Sequence, residues 1–185
     1  MSTAANVTTG KRRVDGGIYV ADAGATLPTD ASTALDSAFK NLGYVSEDGV
    51  TNSLGTETTD IKEWGGHVVD VVDTDQTDEF KYKLIESLNV DVLKTIFGAD
   101  NVTVTQNSGD IAIQVKGISN AAKVYVIDMA MKGGRLKRIV IPSGKITGLG
   151  DVVYKNNEAV AYDLTIKGTL DSSGNSHYEY ITGAA

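Results

Sequence analysis

His67 and His177 are the side chains best suited to proton transfer near neutral pH. They lie far apart in sequence, one beside Gly66 and the other beside a Gly/Ser turn at 172–175. No Gly-x-Ser-x-Gly nucleophile motif accompanies either, so neither is assigned a catalytic role. The run Asp73-Thr74-Asp75-Gln76-Thr77-Asp78-Glu79 offers the oxygen ligands that calcium takes. It fails the EF-hand frame, because the sixth position is not glycine and the twelfth is Leu84. An acidic hairpin tip accounts for it better. The stretch Gly144-Lys145-Ile146-Thr147-Gly148-Leu149-Gly150-Asp151 is glycine-rich like a phosphate loop. It lacks the Gly-x-x-x-x-Gly-Lys-Ser/Thr order and no helix follows, so it reads as turns between strands. Cysteine is absent, which excludes disulfides, Cys-based zinc sites and thiol nucleophiles. No catalytic residue, cofactor or metal site is assigned. Trp64, in Glu63-Trp64-Gly65-Gly66, suits a core or interface anchor better than a ligand platform.

Charge is the stronger signal. The formal net charge of −7 is unevenly spread. Residues 1–100 carry 17 acids and 8 bases, and residues 101–185 carry 7 acids and 9 bases. Within 46–80, 10 acids face Lys62 alone. Acid gathered in this way is unlike a nucleic-acid binder, which needs basic surface to displace counterions. The basic cluster Lys132, Arg135, Lys137 and Arg138 brackets Gly133-Gly134 and has no interleaved aromatics for base stacking. It is paired here with the acidic region of a neighbouring copy. Opposite patches at different places on one subunit favour a head-to-tail contact, which closes into rings or runs on as filaments.

The elements that would carry these groups are mostly strands. With 185 residues, 41% of them hydrophobic, one domain with a real core is expected. No apolar run approaches the roughly 20 residues that span a bilayer, and the polar N-terminus lacks a signal-peptide core. A cytosolic product is expected. Residues 13–20 read as a first strand with a bulge at Gly16-Gly17. Residues 35–42 show weak helical spacing. Residues 47–60 have no apolar periodicity and read as a long loop. In 80–84, Phe80, Tyr82 and Leu84 share one face and Lys81 and Lys83 the other. Residues 73–77 read as the turn that joins 80–84 to a strand at 68–72. Asn89 as N-cap, Asp91 in the first turn, the stripe Val92, Leu93, Ile96 and Phe97, and a left-handed stop at Gly98 predict one helix over 89–97. Further strands are read at 102–105, 111–115, 123–131, 135–141, 151–154, 160–170 and 178–182. A type I′ turn is expected at Gly133-Gly134, and turns at Asn156-Asn157 and 172–175. Strands, one helix and no βαβ alternation give a mainly β class, an antiparallel sandwich or barrel with one flanking α-helix.

The block 42–98 opens with Leu42-Gly43-Tyr44-Val45-Ser46-Glu47-Asp48-Gly49-Val50. It closes with Leu88-Asn89-Val90-Asp91-Val92-Leu93-Lys94-Thr95-Ile96-Phe97-Gly98. As an ordered series it resembles the major tail tube proteins of long-tailed bacteriophages, over roughly residues 14–180. The resemblance implies a non-enzymatic virion protein, made in the host cytoplasm, that stacks as homohexameric rings into the tube passing genomic DNA. It implies one domain over 1–185, with an N-terminal arm at 1–12, an inter-ring loop at 47–60 and a C-terminal end at 176–185. The strands 68–72 and 80–84 become candidates for the barrel lining the tube. Lys81 and Lys83 misfit an acidic lumen unless they pair with acids on neighbouring strands. Candidate interface or lumen residues are Glu47, Asp48, Glu57, Asp60, Asp70, Asp73, Asp75, Lys132, Arg135 and Arg138. The implied partners are further copies, a tape measure protein, a tail terminator and baseplate or distal tail proteins, with DNA passing unbound and no membrane. The rival from another class is a soluble carbohydrate-binding or adhesion β-sandwich. The 6% aromatic content gives that rival little sugar-stacking surface.

Overall fold

The period of two at 80–84 becomes a strand in which Phe80, Tyr82 and Leu84 are buried and Lys81 is exposed. The structure, a computed structural model, describes residues 6–13 and 17–183. The bulge expected at Gly16-Gly17 lies partly outside these residues, as do the first five residues of the N-terminal arm and the last two of the C-terminal end.

Among the described residues, eleven strands and one α-helix follow one another. They are β1 (Gly10–Arg12), β2 (Ile18–Asp22), β3 (Lys40–Asn41), β4 (Val45–Lys62) and β5 (Val68–Leu84). Helix α1 (Val90–Phe97) precedes β6 (Val102–Val104), β7 (Ile111–Ile113), β8 (Lys123–Met131), β9 (Leu136–Leu149), β10 (Tyr162–Gly168) and β11 (Tyr178–Ile181). Nine of the strands form one antiparallel sheet, seven in the order β3-β2-β8-β9-β10-β5-β4. In addition β1 continues the β2 edge of β8, and β11 pairs with β9 beside β10. The remaining two, β6 and β7, make a small hairpin.

The mainly β, antiparallel class with one helix is therefore as expected. Closure is not, because the two ends of the sheet do not pair and no closed barrel forms. The sheet instead curls around one core. Ile18, Phe80, Tyr82, Tyr125, Ile141, Leu164 and Ile166 meet there from five strands, and α1 adds Val92, Leu93 and Ile96. On the opposite face Val124, Val126 and Val140 pack under Phe39, Leu35, Tyr178 and Tyr180. Strand β8 is therefore buried on both faces, and its sequence runs almost continuously apolar instead of alternating.

Helix α1 forms as its signals require. The Asn89 side chain accepts the Asp91 N–H, and Gly98 ends the helix at φ +92° while donating to the Lys94 carbonyl. In the β8–β9 turn both Gly133 and Gly134 have positive φ, but Lys132 joins them in a three-residue loop. The turns at Asn156-Asn157 and 172–175 are present.

Other readings change. Of the first strand read at 13–20, β2 takes up the end from Ile18, β1 lies before it, and 35–42 forms no helix. Residues 151–154 form no strand, while β9 runs straight through the stretch 144–149 read as turns. The register of β8 against β9 shifts between Lys123/Gly144 and Tyr125/Ile141. Pro142, which has no N–H to give a ladder, sits at that irregularity.

Candidate functional site

The largest departure concerns 47–60. This segment is not a loop but most of β4, paired antiparallel with β5 from Val50 onward. The turn expected at 73–77 is mid-strand, so 68–72 and 80–84 belong to one strand, not two. The chain reverses at Glu63-Trp64-Gly65-Gly66. There the Gly66 N–H donates to the Glu63 carbonyl and the Glu63 N–H to the His67 carbonyl. Gly66 takes φ +87°, as the closing position of a three-residue hairpin needs.

Only the root of this hairpin rests on the body. Strand β10 pairs with β5 from Glu79 to Leu84 and no further. Every residue from 51 to 76 is exposed. Beyond the root the hairpin is a two-stranded ribbon, about 30 Å long at roughly 3.3 Å per residue. Its two outer edges pair with no described strand. A lone two-stranded ribbon is marginal in water, and open edges are templates for another chain. Its end is also apolar: Ile61, Trp64, Val68, Val69, Val71 and Val72 are all exposed, Trp64 fully so. Apolar side chains gathered at one protrusion mark a contact surface.

The ribbon carries five of the candidate acids. Glu57 stands opposite Asp75, Thr58 opposite Asp73, Asp60 opposite Val71 and Ile61 opposite Asp70. Paired residues share a face, so Glu57, Asp75 and Asp70 lie on one face and Asp73 and Asp60 on the other. Glu47 and Asp48 sit at the irregular root of β4. They face Lys11 and Arg12 across a cleft of about 600 Å³, where the free edge of β4 approaches β1, β2 and β8. The Arg12 guanidinium lies 4.5 Å from the centre of the Tyr44 ring, which ties β1 to the ribbon root.

A buried carboxylate fixes the ribbon to the body. Asp78 Oδ1 accepts from Asn52 Nδ2 at 2.7 Å, and Oδ2 accepts from Ser176 Oγ at 2.7 Å and from His177 Nδ1. The His177 ring meets Phe80 edge-on at 5.3 Å. Serine, histidine and aspartate thus adjoin, but the hydroxyl donates to the carboxylate and not to the ring. No base is placed to activate Ser176. His67 lies at the ribbon tip against Glu63 and forms no such cluster. Among the described residues no group of His, Asp and Glu could hold a metal ion.

The basic cluster does not hold together. Lys132, exposed, and Arg135, half-buried, flank the β8–β9 turn, and Lys137 pairs with Glu179 at 2.6 Å. Arg138, expected at a subunit surface, is 1% exposed. Its Nε and Nη2 donate to Asp128 at 2.7 and 2.8 Å, and its Nη1 donates to the carbonyls of Asp30 and Thr33. The Asp128 hydrogen bond raises the Arg138 pKa further. Burial follows from the strand period, because residue 138 points with Val140 into the second core. Asp30 shapes the receiving loop by accepting from the backbone and side chains of Ser32 and Thr33, which hold its carboxyl well below the usual range. Lys83, the misfit of the lumen reading, reaches Glu158 at 3.6 Å, and Lys81 reaches Glu79 on its own strand.

One feature was invisible in the sequence. At the end of the body away from the ribbon tip, Leu88, Leu93, Ile111, Ile113, Tyr154 and Tyr162 line an apolar groove of about 300 Å³. Its rim residues Leu88 and Tyr154 are 80% and 77% exposed. Phe97 packs edge-on against Tyr162 beneath it, and burial raises the Tyr162 pKa.

A family model described as "Phage tail tube protein" matches residues 11–184. No curated protein matches the sequence. Among solved structures, the chain is similar to the tube-terminating cap of the anti-feeding prophage. The two share 10% identity, the match covers 98% of this chain and all of the other, and the TM-score is 0.44. It is also similar to the sheath/tube terminator of an extracellular contractile injection system, PVC, in its extended state. That match has 9% identity over 94% of this chain and 97% of the other, with a TM-score of 0.32.

Proposed function

The chain belongs to the phage tail tube protein family, and on that premise we propose that it is the repeating subunit of the tail tube. It is a structural virion protein without catalytic function, made in the host cytoplasm. Copies close into hexameric rings, the rings stack, and the tube conducts genomic DNA without binding it. Its other partners are a tape measure protein, a tail terminator and baseplate or distal tail proteins.

The observation that carries this reading is the ribbon. A two-stranded protrusion exposed from 51 to 76, with open edges and an apolar tip, is poorly accommodated in a monomer. A neighbour that pairs with its edges and covers its tip removes both problems. The segment 47–60 keeps its inter-ring role in this reading, now as one strand of an extended ribbon. The acids on its two faces repel phosphate where they face the lumen. Elsewhere they meet the Lys132 and Arg135 turn of a neighbouring copy. No described helix is long and apolar enough to cross a membrane. Electron microscopy of the purified protein at high concentration tests the reading. Six-fold rings or tubes are expected, whereas a protein that stays monomeric and binds a glycan supports the adhesion alternative.

A further inference from the structure

The ribbon tip and the apolar groove lie at opposite ends of the molecule. Strand β5 leaves the tip at Val68 and ends at Leu84, shortly before groove residue Leu88. Its 17 residues span about 50 Å at roughly 3.3 Å each, so no copy can place its tip in its own groove. The two surfaces nevertheless match. The tip presents a fully exposed indole flanked by Ile61, Val69 and Val72. The groove offers an apolar floor with an aromatic ring, Tyr162, and a rim of exposed Leu88 and Tyr154. Aromatic pairs gain beyond area burial, and Trp is enriched among interface anchors. Charge agrees with shape. Beside Tyr154, Lys83 and Lys155 share the single carboxylate of Glu158 at 3.6 and 3.1 Å, which leaves this trio net positive. The tip carries Asp60, Glu63 and Asp70 against Lys62, which leaves it net negative.

We propose that the ribbon tip of one copy, anchored by Trp64, seats in the groove between α1, the β6–β7 hairpin and Tyr154 of another copy of this chain. The inference rests on the assembly reading above and names the surface that receives the ribbon. The contact is heterologous, tip to groove. Repeated along the ribbon axis it does not close, and so it stacks copies in an open series.

The absence of cysteine makes a direct test possible. One variant carries Glu63→Cys at the tip and a second carries Ser87→Cys at the groove. They are mixed in equal amounts, allowed to assemble and mildly oxidised. A disulfide between the two variants is expected, because it forms only where Cα atoms come within about 7 Å. Tubes without this heterodisulfide overturn the inference and leave the assembly reading intact, as do tip-to-tip Glu63→Cys homodimers. No assembly of the wild-type chain overturns both. Trp64 is the only tryptophan, so its fluorescence gives a second readout on unmodified protein. Emission should move to shorter wavelength on assembly, and an unshifted spectrum in assembled tubes contradicts the seating. Trp64→Ser and Leu88→Glu alter exposed side chains and should leave the monomer folded. Each should raise the concentration needed for assembly about tenfold or more.

Discussion

Glu57 and Asp75 stand directly opposite each other across the exposed ribbon. Like charges at paired positions destabilise a two-stranded sheet by up to about 1 kcal/mol. Nothing in the body offsets the repulsion fully, since Lys167 approaches Asp75 only to 4.0 Å. The pair is a cost that the monomer bears and that a neighbouring cation can relieve. Glu57→Gln should therefore slow amide exchange in the monomer's ribbon while weakening assembly. Hydrogen exchange and sedimentation check the two halves, and a variant that assembles more readily contradicts the argument.

The ribbon of the isolated chain should exchange its outward-facing amides freely and become protected on assembly. Its edges have no described partner in the monomer. Equal protection of residues 51–76 in both states contradicts edge pairing between copies.

Arg138 should behave as a core residue. Arg138→Ala leaves the buried Asp128 with only the longer contact to Arg13 at 3.3 Å and strips the donor from the carbonyls of Asp30 and Thr33, at a cost of about 3 kcal/mol. Thermal denaturation should show this loss with the monomer alone. Lys132→Glu, at an exposed position, should leave the melting temperature nearly unchanged and weaken assembly.

The Asp78 carboxylate should set the angle of the ribbon. Asp78→Ala strips the acceptor from Asn52, Ser176 and His177 and costs about 2–3 kcal/mol. Denaturant unfolding checks the loss. Tyr125→Phe is the contrast. The Tyr125 hydroxyl is buried with no protein partner, so the change should be neutral or slightly stabilising.

Acid should loosen the loop that receives Arg138. The Asp30 carboxyl titrates below its ordinary value because Thr33 and Ser32 donate to the ionised form. A depressed folded pKa adds stability that is present above the unfolded value, near 4, and is lost as pH falls through the folded one. Asp30→Ala should thus be less stable than wild type at neutral pH, with the gap narrowing below about pH 4 in thermal melts.

The parts legible in the sequence were those where one face is wet and the other dry. Residues 80–84 and α1 show their periods because each buries one side. Residues 47–60, the β4 half of the ribbon, read as a loop because both faces are solvated, which leaves no apolar alternation to detect. Its remaining signals were β-branched Thr51, Thr56, Thr58 and Thr59 and the Gly65-Gly66 reversal. Arg138 was misplaced for a related reason: a charged side chain in an apolar strand pattern reads as surface until its partner, Asp128, is seen beside it. The groove joins residues from 87 to 162, a meeting set by the curl of the sheet and not by local sequence.

The account stands on the ribbon as the assembly element, and shortening it is the most direct test. Leu54 and Gly55 pair with Asp78 and Thr77, so residues 56–76 can be replaced by an Asn-Gly turn without disturbing the root. Electron microscopy of this variant, beside the full chain at equal concentration, gives the answer. A folded variant that remains monomeric while the full chain forms tubes is the expected result. Tubes of normal form from the shortened chain would contradict it.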